Sequence, residues 1–147
     1  MNENNTRRAH ARREQSDFIK ALIFGAIGLA VTFFAALLLP LAAMRAADPN
    51  SLVDPLAAVC LALGGFAAAF PAVFFTGSNP VSVCAVSGVP TAVAVLAATL
   101  ISPRGEGLLP VVCNAGAFLL ALCLGAFSAA TIKRRRGRNI KRAVRRR

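Results

Sequence analysis

Three stretches of this chain carry no charged side chain. They are the 24 residues between Lys20 and Arg45, the 49 between Asp54 and Arg104, and the 26 between Glu106 and Lys133. Together they take 99 of the 147 residues, and the chain as a whole is 56% hydrophobic. What is left is too little polar material to cover a water-soluble domain of this length. An apolar run of about 20 residues crosses the roughly 30 Å hydrocarbon core of a bilayer as a helix. The first and third stretches hold one span each, and the middle one holds two and has to turn. Thr76-Gly77-Ser78-Asn79-Pro80 marks that turn, because Gly, Asn and Pro each oppose a continuing helix for a different reason. The pattern predicts helices over Phe18–Met44, Leu52–Phe75, Val81–Ile101 and Gly107–Ile132. The expected fold is all-α: an integral membrane four-helix bundle made of two helical hairpins. A basic N-terminal segment, 1–17, precedes it, and a polybasic tail, 133–147, follows. Continuous apolar runs without alternation argue against a membrane β-barrel.

Lys and Arg resist translocation, so their placement sets orientation. Arg7, Arg8, Arg12, Arg13 and Lys20 precede the first span, ten more cations follow the last, and only Arg45 and Arg104 lie in the other loops. Asp48, Asp54 and Glu106 accompany those two. With four spans both ends share one side, expected to be the cytoplasm (N-in/C-in) of a cell membrane. The competing reading of residues 1–44 is a cleaved signal. Its apolar region is far longer than the usual 7–15 residues, and Pro40-Leu41-Ala42-Ala43 is a poor cleavage site. The arginine pairs also hint at a twin-arginine signal, whose hydrophobic segment would be shorter.

Helices in lipid gain no hydrophobic drive from meeting one another. They associate where small residues let backbones approach and where polar side chains bond across. In the second span Cys60, Gly64, Ala68 and Ala72 recur every four residues, with Gly65 beside them, and Phe66, Phe70 and Phe74 recur two positions away. Two positions is about 200° of rotation, so one face is small and the opposite one aromatic. Ala117, Ala121, Gly125 and Ala129 form a second small stripe in the fourth span, and Gly88 lies in the third. Ser87, Thr91 and Asn114 are the intramembrane polar candidates, with Thr99 toward the end of the third span. The hydroxyls can bond their own i−4 carbonyl or reach a neighbouring helix. Asn114 needs a partner, and an antiparallel third and fourth span would place it level with Thr91 to Val95. Leu63-Gly64-Gly65-Phe66-Ala67-Ala68-Ala69 echoes Leu124-Gly125-Ala126-Phe127-Ser128-Ala129-Ala130, which suggests two parallel copies of a hairpin. Compositional bias is the alternative source of the echo.

The chemistry of catalysis is sparse. The spans hold no ionisable residue away from edge positions such as Lys20 and Asp54, and His10 lies in the N-terminal segment. No HExxH motif, Ser–His pair or Walker-type loop is present. Cys60, Cys84, Cys113 and Cys123 are scattered through the spans without metal-ligand spacing. The sequence therefore points to a non-enzyme with no cofactor and no metal.

Gly64-Gly65-Phe66-Ala67-Ala68, then Gly88, then Leu124-Gly125-Ala126-Phe127 is similar to the pattern of a group of small, mostly uncharacterised membrane proteins of Gram-positive bacteria. Those have four predicted spans and a GGF-A-A type motif in the second. The likeness covers about residues 18–132 and implies the architecture; it brings no activity. This chain departs from the pattern in its uncharged middle loop and its long basic tail.

Three functional classes fit. The leading one is a structural, accessory or partner-binding membrane protein that uses its small-residue helix faces, as a homo-oligomer or with another membrane protein. The second is a holin-like or channel-like pore former. The third is a small-solute transporter subunit using Asn114, Ser87 and Thr91. The tail is expected to meet anionic lipid headgroups through Lys133, Arg134, Arg135, Arg136, Arg138, Lys141 and Arg142. Past Gly137, Ile140 and Val144 could lay a short helix on the membrane. Nucleic acid is set aside as a partner, because charge alone, without an aromatic residue or a recognisable fold, speaks for it.

Overall fold

The computed structural model describes residues 3–44, 52–101 and 108–144, with side chains for 14–41, 44, 52–97 and 111–136. Arg45, Asp48, Arg104, Glu106, Gly107 and the last three arginines lie outside the described residues, as do the side chains of Thr99, Arg138, Lys141 and Arg142.

The described chain is all helix: α1 Glu3–Ala43, α2 Val53–Phe75, α3 Pro80–Ile101 and α4 Leu108–Val144. Each contains a stretch long and apolar enough to cross a membrane: Glu14–Leu41, Val53–Phe75, Pro80–Ala97 and Val111–Arg136. The chain is a multi-pass membrane protein built as a helical bundle.

Two helices exceed the expected limits. α1 begins at Glu3 rather than near Phe18, and α4 runs on to Val144 rather than stopping near Ile132. Hydropathy marks where lipid ends, and a helix once formed propagates cheaply into water. Arg, Glu, Ala and Gln on the first extension, and Lys, Arg and Ala on the second, are good helix formers. Gly137 does not interrupt α4. One glycine costs about 1 kcal/mol relative to alanine, too little to stop a helix already templated by a transmembrane span. The separate short helix expected beyond Gly137 is therefore absent.

The helix pairs are unequal. α2 packs most extensively, against α4 and α1; α1 also lies along α3, while α3 and α4 touch sparingly and α1 and α4 stand across the diagonal. The two chain hairpins thus differ, one tightly packed and the other barely. The internal echo does not translate into packing symmetry either. Gly64 faces Gly28 and Thr32 on α1, whereas its counterpart Gly125 faces Ala69 and the backbone of Phe66 and Phe70 on α2. A true repeat would have set Gly125 against α3.

Candidate functional site

Among the described residues, every buried position falls in 17–28 of α1, 60–76 of α2 and its end, 83–91 of α3 or 118–129 of α4. These segments form the half of the bundle next to the 76–79 loop. In the opposite half no described residue is buried.

The tight half is built on near-contact between backbones. A Cβ added at Gly28 would lie 2.5 Å from Ala68 Cβ and 2.7 Å from the Gly64 carbonyl. One at Gly25 would lie 2.5 Å from the Ser87 carbonyl, and one at Gly64 would overlap Thr32. Gly65 meets Phe118, Gly88 meets Leu122, and Gly125 has Ala69 Cβ 3.2 Å from where its own Cβ would stand. Only a hydrogen fits at α1–α2 and α1–α3, so these contacts could not form with any other residue in place. Cys60, Gly64, Gly65, Ala68, Ala72, Gly88, Ala121, Gly125 and Ala129 are all buried here, and Ala117 is half-buried at the margin. The stripes on α2 and α4 are consumed inside the chain. Within the chain they are covered by α1 and by each other. Gly25 and Gly28 belong to no four-residue stripe. Their three-residue spacing in the first span is the sequence signal that marks them.

The aromatic face of α2 stacks along itself, Phe66 on Phe70 at 5.7 Å between ring centroids and Phe70 on Phe74 at 6.1 Å. The cysteines are free thiols: Cys60 is buried, Cys84 half-buried, and Cys113 and Cys123 face outward. The Cys84 thiol points to the Leu122 carbonyl at 3.6 Å.

The polar candidates separate. Ser87 and Thr91 are both 0% exposed. Ser87 donates to the Cys84 carbonyl at 2.9 Å, while Thr91 Oγ1 is buried with no hydrogen-bond partner. Thr32 and Thr131, by contrast, bond their own i−4 carbonyls at 3.0 and 2.8 Å. Asn114 is half-buried on α4 in the open half. It does not join the two hydroxyls in one polar site, because α4 follows α2 rather than lying along α3.

A polar lock that the sequence did not announce closes the other end. Asp17 is only 4% exposed. Its Oδ2 accepts the Gly77 N–H at 3.0 Å and the Ser78 hydroxyl at 2.6 Å, and Lys20 lies 3.8 Å from Oδ1. The Thr76 hydroxyl and N–H both return to the Ala72 carbonyl, at 2.7 and 3.2 Å, ending α2. From α4, the Lys133 ammonium donates to the Thr76 carbonyl. Asn79 then starts α3, its side-chain oxygen accepting the Val81 N–H at 3.1 Å and its carbonyl the Val83 N–H at 3.1 Å. Residues 17, 76–79 and 133 thus tie α1, α2, α3 and α4 together with charge-assisted bonds, the stronger kind. Lys133 donates one of its three N–H groups to the loop, because Thr76 leaves a helix-terminal carbonyl within reach. Arg134, Arg135 and Arg136 are exposed just beyond. A cleft of about 230 Å³ lies beside the lock, walled by Glu14, Asp17, Phe18, Ser78, Asn79, Ser82 and Val83.

Fold and site together define a multi-pass helical membrane protein, closed and hydrogen-bonded at the end where its termini emerge and open at the other. Against protein-family models, curated proteins and solved structures the chain has no match.

Proposed function

We propose that this is an accessory membrane protein that docks on another integral membrane protein through its open half. The supporting observation is the unequal burial along the bundle. One half has its glycine and alanine stripes engaged within the chain. In the other, α1, α2, α3 and α4 bring large apolar side chains such as Leu38, Val53, Val93 and Val112 to an uncovered surface. Asn114, half-buried at that depth, offers an amide whose hydrogen bonds in hydrocarbon come from another helix. The reading includes a cell membrane with both termini in the cytoplasm and Arg134–Arg136 at anionic headgroups. It carries no catalytic step. It keeps the small four-span proteins of Gram-positive bacteria as its setting. A pore or transport role has no comparable support, since Ser87 and Thr91 are sealed from any path.

The test is site-specific photocrosslinking in native membranes. Crosslinkers at Val93 and Val112 should capture one protein of defined mass, while one at Phe24 should not. Crosslinks to lipid alone from all three would overturn the reading. Reporter fusions at each terminus test the orientation separately.

A further inference from the structure

α1 and α4 leave the same end of the bundle. Asp17 and Lys133 bond the same loop, at Gly77, Ser78 and Thr76, so the two residues mark one level. From that level α1 continues unbroken to Glu3 and α4 to Val144. At about 1.5 Å per residue, Arg12 and Arg138 both lie about 8 Å beyond the level, and Arg8 and Arg142 both about 13 Å. The headgroup layer on one side of a bilayer is only about 5–8 Å thick. The two helices stand on the long diagonal of the bundle. The result is two basic prongs, with Arg7, Arg8, Arg12 and Arg13 on one and Arg138, Lys141 and Arg142 on the distal part of the other.

We propose that these prongs bind the phosphate backbone of double-stranded nucleic acid, without sequence preference, and hold it at the membrane. Three features favour this occupant. First, each prong continues past the loop level for more than the thickness of a headgroup layer, and α4 runs through Gly137 without the break needed to lie flat on lipid. Second, protein partners are anchored by buried apolar and aromatic residues, and residues 3–16 offer only Ala9 and Ala11, residues 137–144 only Ile140, Ala143 and Val144. Third, a phosphate backbone asks for cations and little else, and the absence of aromatic residues on the prongs removes the stacking that single strands use. The sequence sets nucleic acid aside for want of an aromatic residue and a recognisable fold; a duplex backbone needs no stacking residue, and the continuous helices supply a rigid frame for the cations. The inference depends on the cytoplasmic orientation proposed above for its setting, but binding by the purified protein does not.

The test uses the full chain in phosphatidylcholine nanodiscs with a fluorescent duplex DNA, titrated over a range of salt. Two duplexes of unrelated sequence should bind alike, with affinity falling as salt rises. Arg138→Gln, Lys141→Gln and Arg142→Gln together should weaken binding at low salt by about tenfold or more and reduce the log–log salt slope by about 2.7. Thermal unfolding of the bundle should not change, because these positions lie outside it. In discs containing phosphatidylglycerol the duplex should still bind. No binding to neutral discs, an unchanged slope in the triple variant, loss of binding on anionic discs, or equal displacement by polyglutamate would each overturn the proposal. The reporter fusions decide orientation whatever the DNA result.

Discussion

The two halves of this bundle are made from the same four helices and behave as different materials. Toward the loop at 76–79, glycines let backbones touch and a buried carboxylate closes the end. Away from it, Phe33 and Phe34 on α1, Leu96 on α3 and Val112 on α4 are at least 63% exposed. Pro90 sits where α3 passes from one half to the other, and a proline removes one helix hydrogen bond at that point. Beyond Thr91 no described α3 residue is buried. The difference teaches that apolar character holds a helix in lipid but does not bring helices together. Side-chain size at the crossing does.

The largest expected effect tests this directly. Gly64→Leu should destabilise the bundle by about 3 kcal/mol or more, read as loss of the thermal transition in mild detergent. Gly116→Leu on α4 should stay within about 0.5 kcal/mol, because nothing lies within 4 Å of its Cβ position. Equal losses would erase the distinction between the halves.

Next comes the lock. Asp17→Ala leaves the Gly77 N–H and the Ser78 hydroxyl without their acceptor, and should cost about 2 kcal/mol. Asp17→Asn keeps an acceptor oxygen and should cost roughly half as much. Protease cleavage at the 76–79 loop offers a second readout, and should rise in both variants in the same order. If Asp17→Ala melts like the parent, the polar end is decoration.

Thr91→Val sharpens the account of the tight half. It replaces a buried hydroxyl that has no partner by a methyl of similar size. Stability should be unchanged or rise by up to about 1 kcal/mol. A loss of that size would mean the hydroxyl is bonded. The smallest effect is expected at Phe127→Leu, 74% exposed toward lipid, where a change beyond about 0.5 kcal/mol would argue that a partner covers it.

Charge-free length alone sets the number of spans, the turn at Thr76–Pro80 and the clustering of cations at the two ends. These follow because a bilayer imposes one length and one polarity on every helix that crosses it. The small stripes on α2 and α4 are equally readable, since periodicity is local. Their neighbours are not. Gly64 could have met any of three helices, and only the assembled bundle sets it against Gly28 and Thr32 while sending Gly125 to α2. Asp17 reads in sequence as one more charge before an apolar run. Its role comes from Ser78, 61 residues away, and no rule of spacing reaches that far. Each of these contacts rests on which helix lies beside which, and the chain reaches that arrangement only when all four close on one another.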